Sequence, residues 1–271
     1  MHPKQLLANY DLQPKKSLGQ NFLFDNNVLS RIIDAADLVA QDQVLEIGPG
    51  LGSLTQRLAR HVSRVVAVEL DGRFIPILQT QLAGFHNVEL IHGDILDQNL
   101  ADRFQSQYKV VANVPYYITG AILRHLFDSI NKPSLMVLTV QKEVAERITA
   151  VPPNMSLLSV SVQYYGQPRV ITTIKAGAFW PRPDVDSSVV RIDLAGRQRV
   201  PVSQAQQDHF FRLVRAGFSQ KRKQLQKNLR QLGLNREEIA LLLQKAGIDG
   251  RRRAQTLTMF EWLTLAKTLE I

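Results

Sequence analysis

The chain has 271 residues, 45% of them hydrophobic and 21% charged, a mixture that excludes a disordered or fibrous protein and indicates a soluble globular one. It contains no cysteine, which excludes disulfides and thiolate metal sites, and no apolar run approaches the roughly 20 residues that cross a bilayer. The formal net charge is +9, and the first residues lack the pattern of a secretion signal, so we expect a cytoplasmic protein.

Short β-branched runs alternate with amphipathic segments between residues 44 and 140. Near-continuous apolar strands separated by helices are typical of a parallel sheet covered on both faces, which binds ligands at the carboxyl ends of its strands. The first helix would bury Leu54, Leu58 and Ala59. Strands are predicted at 44–48, 65–69, 88–92, 108–114 and 135–140, and two later runs at 157–165 and 187–194 would complete seven strands. The predicted fold class is therefore α/β, with a Rossmann-like, mostly parallel sheet.

The pattern changes after Leu194. A polar link containing Gly and Pro follows at 195–201, and Ser203 is a suitable N-cap for the helical pattern that continues to the end of the chain. Gly233 and Gly247 fall where helices would stop. We therefore predict two domains, an α/β domain at 1–200 and a small all-helical domain at 201–271.

Most of the excess positive charge lies in the helical region. Residues 205–271 hold 13 Lys and Arg against 6 Asp and Glu, a net charge of +7, whereas the preceding 204 residues carry +2. Such a concentration predicts a surface that binds a polyanion, although a solvated helical face explains the charge equally well. The consecutive cations in this region are Lys221, Arg222, Lys223, Arg251, Arg252 and Arg253.

A glycine-rich turn follows the first predicted strand, with Gly48, Gly50 and Gly52 in a G-x-G-x-G pattern. Glycines there let the backbone approach a ligand closely. Glu69 ends the next strand, where a carboxylate accepts the hydroxyls of a ribose. Ser53 stands where dinucleotide-binding proteins have their third glycine, so the pattern favours S-adenosylmethionine over NAD. The alternative is a tight turn without a ligand.

Two polar residues follow later strands. Asp94 could accept the exocyclic amine of the cofactor's adenine, although an Asp after a strand is more often a helix cap. Asn113 begins an Asn-x-Pro-Tyr motif that runs through Val114 to Tyr116. As an isolated tetrapeptide this motif is also compatible with a simple turn that ends a strand.

The Asn-x-Pro-Tyr motif fits methylation of adenine at N6. The amine of adenine is a poor nucleophile because its lone pair is delocalised into the ring. Two acceptors for its hydrogens, the side-chain oxygen of Asn113 and the backbone carbonyl of Val114, would return electron density to the nitrogen. The Tyr116 ring can stack on an extruded base. This mechanism needs no metal, and the six dispersed His residues show no metal-ligand spacing.

The chain resembles the KsgA/RsmA family of ribosomal RNA adenine dimethyltransferases over nearly its whole length. The segments that carry the resemblance are 15–23, 44–52, 68–71, 93–94, 113–116, 141–147, 179–187 and 218–223. The resemblance implies that Phe179 belongs to a loop that closes over the target base. It also implies a cofactor site formed by Gln20, Asn21, Leu23, Gly48, Gly50, Glu69, Asp94, Ile95 and Asn113.

The resemblance also implies a substrate and a partner. Two adjacent adenosines in a loop near the 3′ end of 16S rRNA would each receive two methyl groups while in the small ribosomal subunit. The helical domain would hold the rRNA, with its cationic runs on the phosphates. We expect a monomer that uses S-adenosylmethionine and no metal.

One departure from the family pattern lies beside the site, where Tyr117 replaces the usual Asn and could change how the loop closes. Three alternatives stay open. They are a 23S rRNA adenine methyltransferase of the macrolide-resistance type, a ribosome-assembly or RNA-binding factor whose catalysis is dispensable, and a nicotinamide dehydrogenase. Ser53 and the lack of an evident hydride-transfer site disfavour the last of these.

Overall fold

Nine strands form two sheets in the computed structural model, which describes residues 2–194 and 203–269. The strands are β1 (Phe22–Leu23), β2 (Gln43–Ile47), β3 (Arg64–Glu69), β4 (Val88–His92), β5 (Lys109–Asn113), β6 (Leu135–Gln141), β7 (Gln167–Ile174), β8 (Phe179–Trp180) and β9 (Ser187–Asp193). The short strands β1 and β8 pair with each other, and the other seven form the main sheet.

The main sheet has the order β4-β3-β2-β5-β6-β9-β7. The first five strands in this order run parallel, and β9 runs antiparallel to both of its neighbours. The prediction of a seven-stranded, mostly parallel sheet is therefore confirmed. The chain builds outward from β2 to β4 and then returns to place β5 on the other side of β2. This reversal opens a crevice at the carboxyl ends of β2 and β5, the usual ligand site of such sheets.

The central strands are buried, as their near-continuous apolar sequences predict. Val44, Val65, Val111 and Val137 on four adjacent strands are all fully buried. Helices that flank the sheet add to this core; in α2, for example, Asp25 caps the first turn, and Leu29 and the isoleucines that follow are buried. The helices up to residue 149 are α1 (Pro3–Ala8), α2 (Asn26–Ala35), α3 (Thr55–Ala59), α4 (Ile75–Leu82), α5 (Leu100–Arg103), α6 (Thr119–Asp128) and α7 (Lys142–Thr149).

The strand predicted at 157–165 is wrong, because this segment forms helix α8 (Leu157–Tyr165). Its valines and tyrosines favour a strand, but Ser156 and Ser159 form a reciprocal cap at the start of the helix. Val160 is fully buried in a core made by the later helices, and such tertiary packing overrides β propensity. The seventh strand is instead β7, whose Pro168 is tolerated because β7 lies at the edge of the sheet.

The chain divides into two compact units. The first contains residues up to Ala145 and the segment from Gln167 to the end of the sheet, and the second contains Glu146–Gly166 with the C-terminal helices. The predicted division at residue 200 placed 146–166 in the first domain, whereas the structure places them with the helices. The predicted link at 195–201 lies outside the described residues.

The second unit is helical within its described residues. Ser203 caps its first long helix, as predicted, and Gly233 ends a helical turn in the left-handed conformation. Trp262 is fully buried, and its ring stacks on Phe218 at 5.5 Å between centroids. The C-terminal helices are α9 (Gln204–Gly217), α10 (Leu225–Asn228), α11 (Arg236–Lys245) and α12 (Met259–Leu269). In the described parts of both units, no helix has the length and apolar character that a membrane crossing requires.

The contact between Gly217 and Trp262 gives a stability prediction. A methyl group at Gly217 would overlap the Trp262 ring, so Gly217→Ala should destabilise the helical unit by about 1–3 kcal/mol. Gly120→Ala in α6 is the matched control, because its methyl group meets nothing within 4 Å and helix propensity favours Ala by about 1 kcal/mol. Denaturant unfolding followed by circular dichroism measures both changes. Equal stabilities for the two variants would contradict this packing.

Candidate active site

A cavity of about 1040 Å³, including its open mouth, lies at the carboxyl ends of the parallel strands. It is lined by the residues that follow β2, β3, β4 and β5 and by a segment near the N-terminus, residues 18–23. It therefore occupies the crevice that the strand order creates.

The glycine turn after β2 forms one wall of this cavity. Gly48 and Gly50 have φ angles of 68° and 58°, in the left-handed region where other residues are strained. A Cβ at Gly48 would meet nothing within 4 Å, so the backbone there borders open space. A Cβ at Gly50 would lie 3.1 Å from the Phe22 ring. Glycine is thus needed for the turn, and at Gly50 also for packing.

Glu69 at the end of β3 is held by two backbone groups. Its Oε2 accepts the Gly50 N–H at 2.9 Å, and its Oε1 accepts the Asp71 N–H at 2.8 Å. The residue is 6% exposed, and burial raises the pKa of its carboxyl, although these two N–H groups favour the ionised form. Each oxygen keeps a lone pair for another donor, such as a ribose hydroxyl.

Asp94 serves as a helix cap and also has a free oxygen. Its Oδ1 accepts the Leu96 N–H at 2.9 Å and caps the 3₁₀ turn Ile95–Asp97. Among the described residues no donor bonds to Oδ2, and Asp94 lines the cavity beside Ile95. The cap interpretation is therefore correct, and it leaves the residue able to accept an amine.

Asn113 is the last residue of β5, and one contact orients its side-chain amide. Its Nδ2 donates to the backbone carbonyl of Asn21 at 3.1 Å, which leaves Oδ1 available as an acceptor. Val114, the next residue, lines the same cavity. Tyr116 Oη bonds to Ser187 Oγ at 2.5 Å, which fixes the ring. Burial raises the pKa of Tyr116, and the Ser187 bond opposes this shift.

The structure brings together almost all the predicted site residues of the first unit. All nine predicted cofactor residues line the cavity, as do Val114 and Tyr116. Both ends of the Gln20 amide are bonded within the protein: Oε1 accepts the Lys15 N–H at 2.7 Å, and Nε2 donates to Asp71 at 2.8 Å.

Phe179 is not brought to the cavity. It is 2% exposed, lies in the hydrophobic core, and pairs with Leu23 across β1 and β8. Its aromatic ring thus packs inside the first unit, where the expected role over a target base has no support.

Glu46 is a cavity residue that the sequence motif contained but that was not assigned a role. It is 1% exposed, and its Oε2 is buried without a hydrogen-bond partner within the described residues. Burial raises the pKa of Glu46 to about 8; the nearby Thr55 hydroxyl opposes the shift and the Glu69 carboxylate adds to it. The sequence of β2 is otherwise apolar, and it does not indicate that Glu46 lines the cavity or that its Oε2 lacks a hydrogen-bond partner.

The two cationic runs of the second unit are neighbours. Backbone bonds join them, from Leu225 N to the Arg252 carbonyl at 2.7 Å and from Gln226 N to the Gly250 carbonyl at 3.1 Å. Arg252 is half-buried and pairs with Glu261, so it stabilises the unit itself. The exposed cations are Lys221, Arg222, Lys223, Arg251 and Arg253, and Arg251 pairs with Asp249 at 3.0 Å.

In neither unit do the described residues contain a group of three or more His, Asp or Glu side chains that could hold a metal ion.

A glycine turn, a downstream acid and an Asn-x-Pro-Tyr motif on a sheet of this order define a class I, Rossmann-like methyltransferase. The chain belongs to the ribosomal RNA adenine dimethylase family, whose model matches residues 12–269.

Individual relatives agree with this assignment. The ribosomal RNA small subunit methyltransferase A of Dehalococcoides mccartyi (strain CBDB1) is 44% identical over 265 residues, which cover 97% of this chain and 90% of the relative. The crystal structure of the 23S rRNA methyltransferase ErmE is 26% identical, with a TM-score of 0.76 over 93% of this chain and all of that one. A dimethyladenosine transferase from Plasmodium falciparum shares the fold at 24% identity, with a TM-score of 0.78 over 90% of this chain and 95% of that one.

The buried carboxyl of Glu46 predicts a pH dependence of stability. With a pKa of about 8 in the folded state and 4.5 as the ordinary value, Glu46 stays protonated on folding while the unfolded chain ionises. The contribution of Glu46 to the free energy of unfolding is complete below pH 4.5. It is lost as the pH rises toward 8, by up to about 1.4 kcal/mol per pH unit. Glu46→Gln should remove this decline.

Denaturant unfolding without cofactor, repeated between about pH 5 and pH 8, measures the difference between wild type and variant. Glu143→Gln, which removes an exposed carboxylate from α7, is the matched control. Wild-type and Glu46→Gln curves that stay parallel across this range would show that the carboxyl is ionised in the folded protein.

Proposed function

We propose that this protein transfers methyl groups from S-adenosylmethionine to the N6 amines of two adjacent adenosines in a loop near the 3′ end of 16S rRNA. The products are dimethyladenosines, formed in the small ribosomal subunit late in its assembly. The observation that carries the proposal is the amide of Asn113. Its Nδ2 is bonded to Asn21 and its Oδ1 is left open, in a cavity that also holds Glu69 and Asp94.

The cavity residues fit S-adenosylmethionine. Glu69 has lone pairs for the ribose hydroxyls, Asp94 Oδ2 is open to the adenine amine, and the backbone at Gly48 leaves room for the chain of the methionine part. When bound, this cofactor supplies an electrophilic methyl group on a sulfonium. The unpartnered carboxyl of Glu46 provides a further polar contact within the same cavity.

The protein's own residues activate the target amine. The Asn113 Oδ1 and the Val114 carbonyl each accept a hydrogen bond from the amine. These bonds favour pyramidal geometry at the nitrogen and localise its lone pair there. The Tyr116 ring, fixed by Ser187, stacks on the adenine and holds it in place. Transfer would form the N–C bond as the S–C bond of the cofactor breaks, and the nitrogen would release its proton to water. A monomethylated amine keeps one hydrogen, so one acceptor suffices in the second transfer.

Sequence similarity favours 16S rRNA of the small subunit over 23S rRNA as the substrate. The 44% identical relative is named for the small subunit, whereas the 23S enzyme ErmE is 26% identical. Loop adenosines suit this chemistry, because unstacking a loop base is less unfavourable than flipping a paired one. The exposed cations of the second unit would contact rRNA phosphates. We further propose that the protein acts in the cytoplasm as a monomer.

A role as an assembly factor without catalysis has less support. A protein selected for RNA binding alone has no need to keep an oriented Asn113 amide, the Val114 backbone and a fixed Tyr116 ring in one cavity. These three features together favour an active enzyme.

Loss of the activating acceptor should stop methyl transfer. Asn113→Ala should lower kcat by about 10²–10³-fold while leaving binding to small subunits unchanged, because the side chain acts on the amine and not on the phosphates. Labelled cofactor and small subunits that lack adenine dimethylation measure the transfer, and nuclease digestion with mass spectrometry locates the product. Asn27→Ala, in an exposed position of α2, is the control. Unchanged turnover in Asn113→Ala would overturn the mechanism.

Removal of the exposed cations should weaken rRNA binding without disabling the cavity. The triple variant Lys221→Ala, Arg222→Ala, Lys223→Ala should bind small subunits more weakly. It should also reduce the slope of log affinity against log salt by about 2 to 3. The charge-preserving variant Lys221→Arg, Arg222→Lys, Lys223→Arg is the control and should keep the wild-type slope. A wild-type slope in the alanine variant would show that these residues do not contact phosphates.

A further inference from the structure

The segment from Gln13 to Asn21, here termed the N-terminal strap, covers part of the cavity. Leu18, Gly19, Gln20 and Asn21 belong to its lining. The strap has one short 3₁₀ turn, Lys16–Leu18, and Gly19 leaves that turn with a φ of 59°. With so little regular structure, its position depends on a few side-chain contacts.

Asp71 is the main anchor of the strap. Its Oδ2 accepts Gln20 Nε2 at 2.8 Å, and the same Gln20 amide accepts the Lys15 N–H through Oε1 at 2.7 Å. Arg73 binds the Asp71 carboxylate through Nε at 2.9 Å and Nη2 at 2.6 Å, and it donates to the Gln13 carbonyl at 3.3 Å. One buried carboxylate thus holds both ends of the segment 13–20.

The charge state of this anchor is stable. Asp71 is 5% exposed, and the hydrogen bonds from Arg73 and Gln20 lower the pKa of its carboxyl to about 2 against the opposing effect of burial. The carboxylate therefore stays ionised at any pH at which the enzyme works. A buried charge of this kind strengthens the hydrogen bonds that it accepts.

The strap in turn orients the Asn113 amide. Asn21 follows Gln20 directly, and its carbonyl accepts Asn113 Nδ2 at 3.1 Å. The Asn21 side chain donates to the Gly19 carbonyl at 3.1 Å, which stiffens this corner. If the strap moves away, Asn113 loses the acceptor that holds its Nδ2, and its Oδ1 is no longer directed at the amine.

We infer that Asp71 is a positioning residue that, through Gln20, latches the N-terminal strap over the cofactor cavity and so sets the orientation of Asn113. The catalytic half of this inference rests on the proposed function, whereas the latch itself does not. The strap joins the two requirements of the reaction, since Leu18–Asn21 form part of the cavity wall and the Asn21 carbonyl holds the Asn113 amide.

A swap of hydrogen-bond polarity tests the latch. Gln20→Glu places a second carboxylate against Asp71, so the contact becomes repulsive without a change in size. The double variant Gln20→Glu, Asp71→Asn restores a bond in the opposite direction, from the Asn amide to the new carboxylate, and keeps the original net charge. Asp71→Asn also leaves intact the backbone N–H that Asp71 donates to Glu69.

The first readout is trypsin cleavage after Lys15 and Lys16, which are exposed but lie in an anchored backbone. We expect Gln20→Glu to speed this cleavage about tenfold, the effect of losing a hydrogen bond to a charged group. The double variant should slow cleavage again relative to Gln20→Glu, but not fully to the wild-type rate, because Asp71→Asn removes the charge that binds Arg73. Arg31→Ala, which removes an exposed bond to Thr172 away from the strap, is the control and should leave cleavage unchanged. Melting temperatures show whether a variant has opened locally or unfolded.

The second readout is the kinetics of methyl transfer. Gln20→Glu should raise the KM for the cofactor and lower kcat, and the double variant should recover both. Cleavage at the wild-type rate in Gln20→Glu, or no recovery in the double variant, would overturn the latch. Faster cleavage with recovery, in a protein whose wild type transfers no methyl group to small subunits, would support the latch and refute the proposed function instead.

Discussion

The carboxylate of Glu69 joins the parts of the site that lie far apart in sequence. Its two oxygens accept N–H groups from Gly50, in the turn after β2, and from Asp71, in the turn after β3. The glycine turn can meet this carboxylate only because β2 and β3 are parallel neighbours whose ends coincide. The side chain of Asp71 in turn binds the N-terminal strap, because its Oδ2 accepts a hydrogen bond from Gln20 Nε2. Two buried acids therefore link the parts of the site: Glu69 joins the glycine turn to the turn after β3, and the Asp71 carboxylate holds the strap whose Asn21 binds the Asn113 amide.

The order of the strands determines where the polar residues of the cavity lie. The order of strand addition reverses after β4, so that β5 pairs with β2, and Asn113 at the end of β5 therefore lies beside the turn that follows β2. Among the residues that the structure describes, no group bonds to Asp94 Oδ2 or Glu46 Oε2, and both side chains belong to residues that line the same cavity. The burial of Glu46 Oε2 without a partner would be unfavourable in a protein without a ligand, and this is a physical reason to regard the cavity as a binding site.

The fold and most of the site could be predicted from the sequence because their signals are local. Glycine spacing, acids at strand ends and apolar strands each depend on a few consecutive residues, and Gly48, Glu69 and Asn113 all lie where expected. The failures are cases in which distant packing decides. Helix α8 has an amino-acid composition typical of a strand. Phe179 packs in the hydrophobic core, and Arg252 forms an ion pair with Glu261. The network of Gln20 with Asp71 spans 51 residues of sequence, and no local pattern reveals it.

In the proposed function, the first unit performs the chemistry and the second unit binds the RNA. The first unit holds every residue that would touch the cofactor or the target amine, and the second carries the exposed cations of the two basic runs at 221–223 and 251–253. In the second unit the backbone bonds between 225–226 and 250–252 bring two separate basic runs together, so that a surface of positive charge arises from the fold and not from either run alone.

The most direct test of this account is a crystal structure of the protein soaked with S-adenosylhomocysteine, the demethylated cofactor. The account predicts both ribose hydroxyls on the carboxylate of Glu69, the adenine amine on Oδ2 of Asp94, and the sulfur directed toward Oδ1 of Asn113. A ligand bound away from Glu69, or an Asn113 amide whose Nδ2 faces the sulfur, would contradict it.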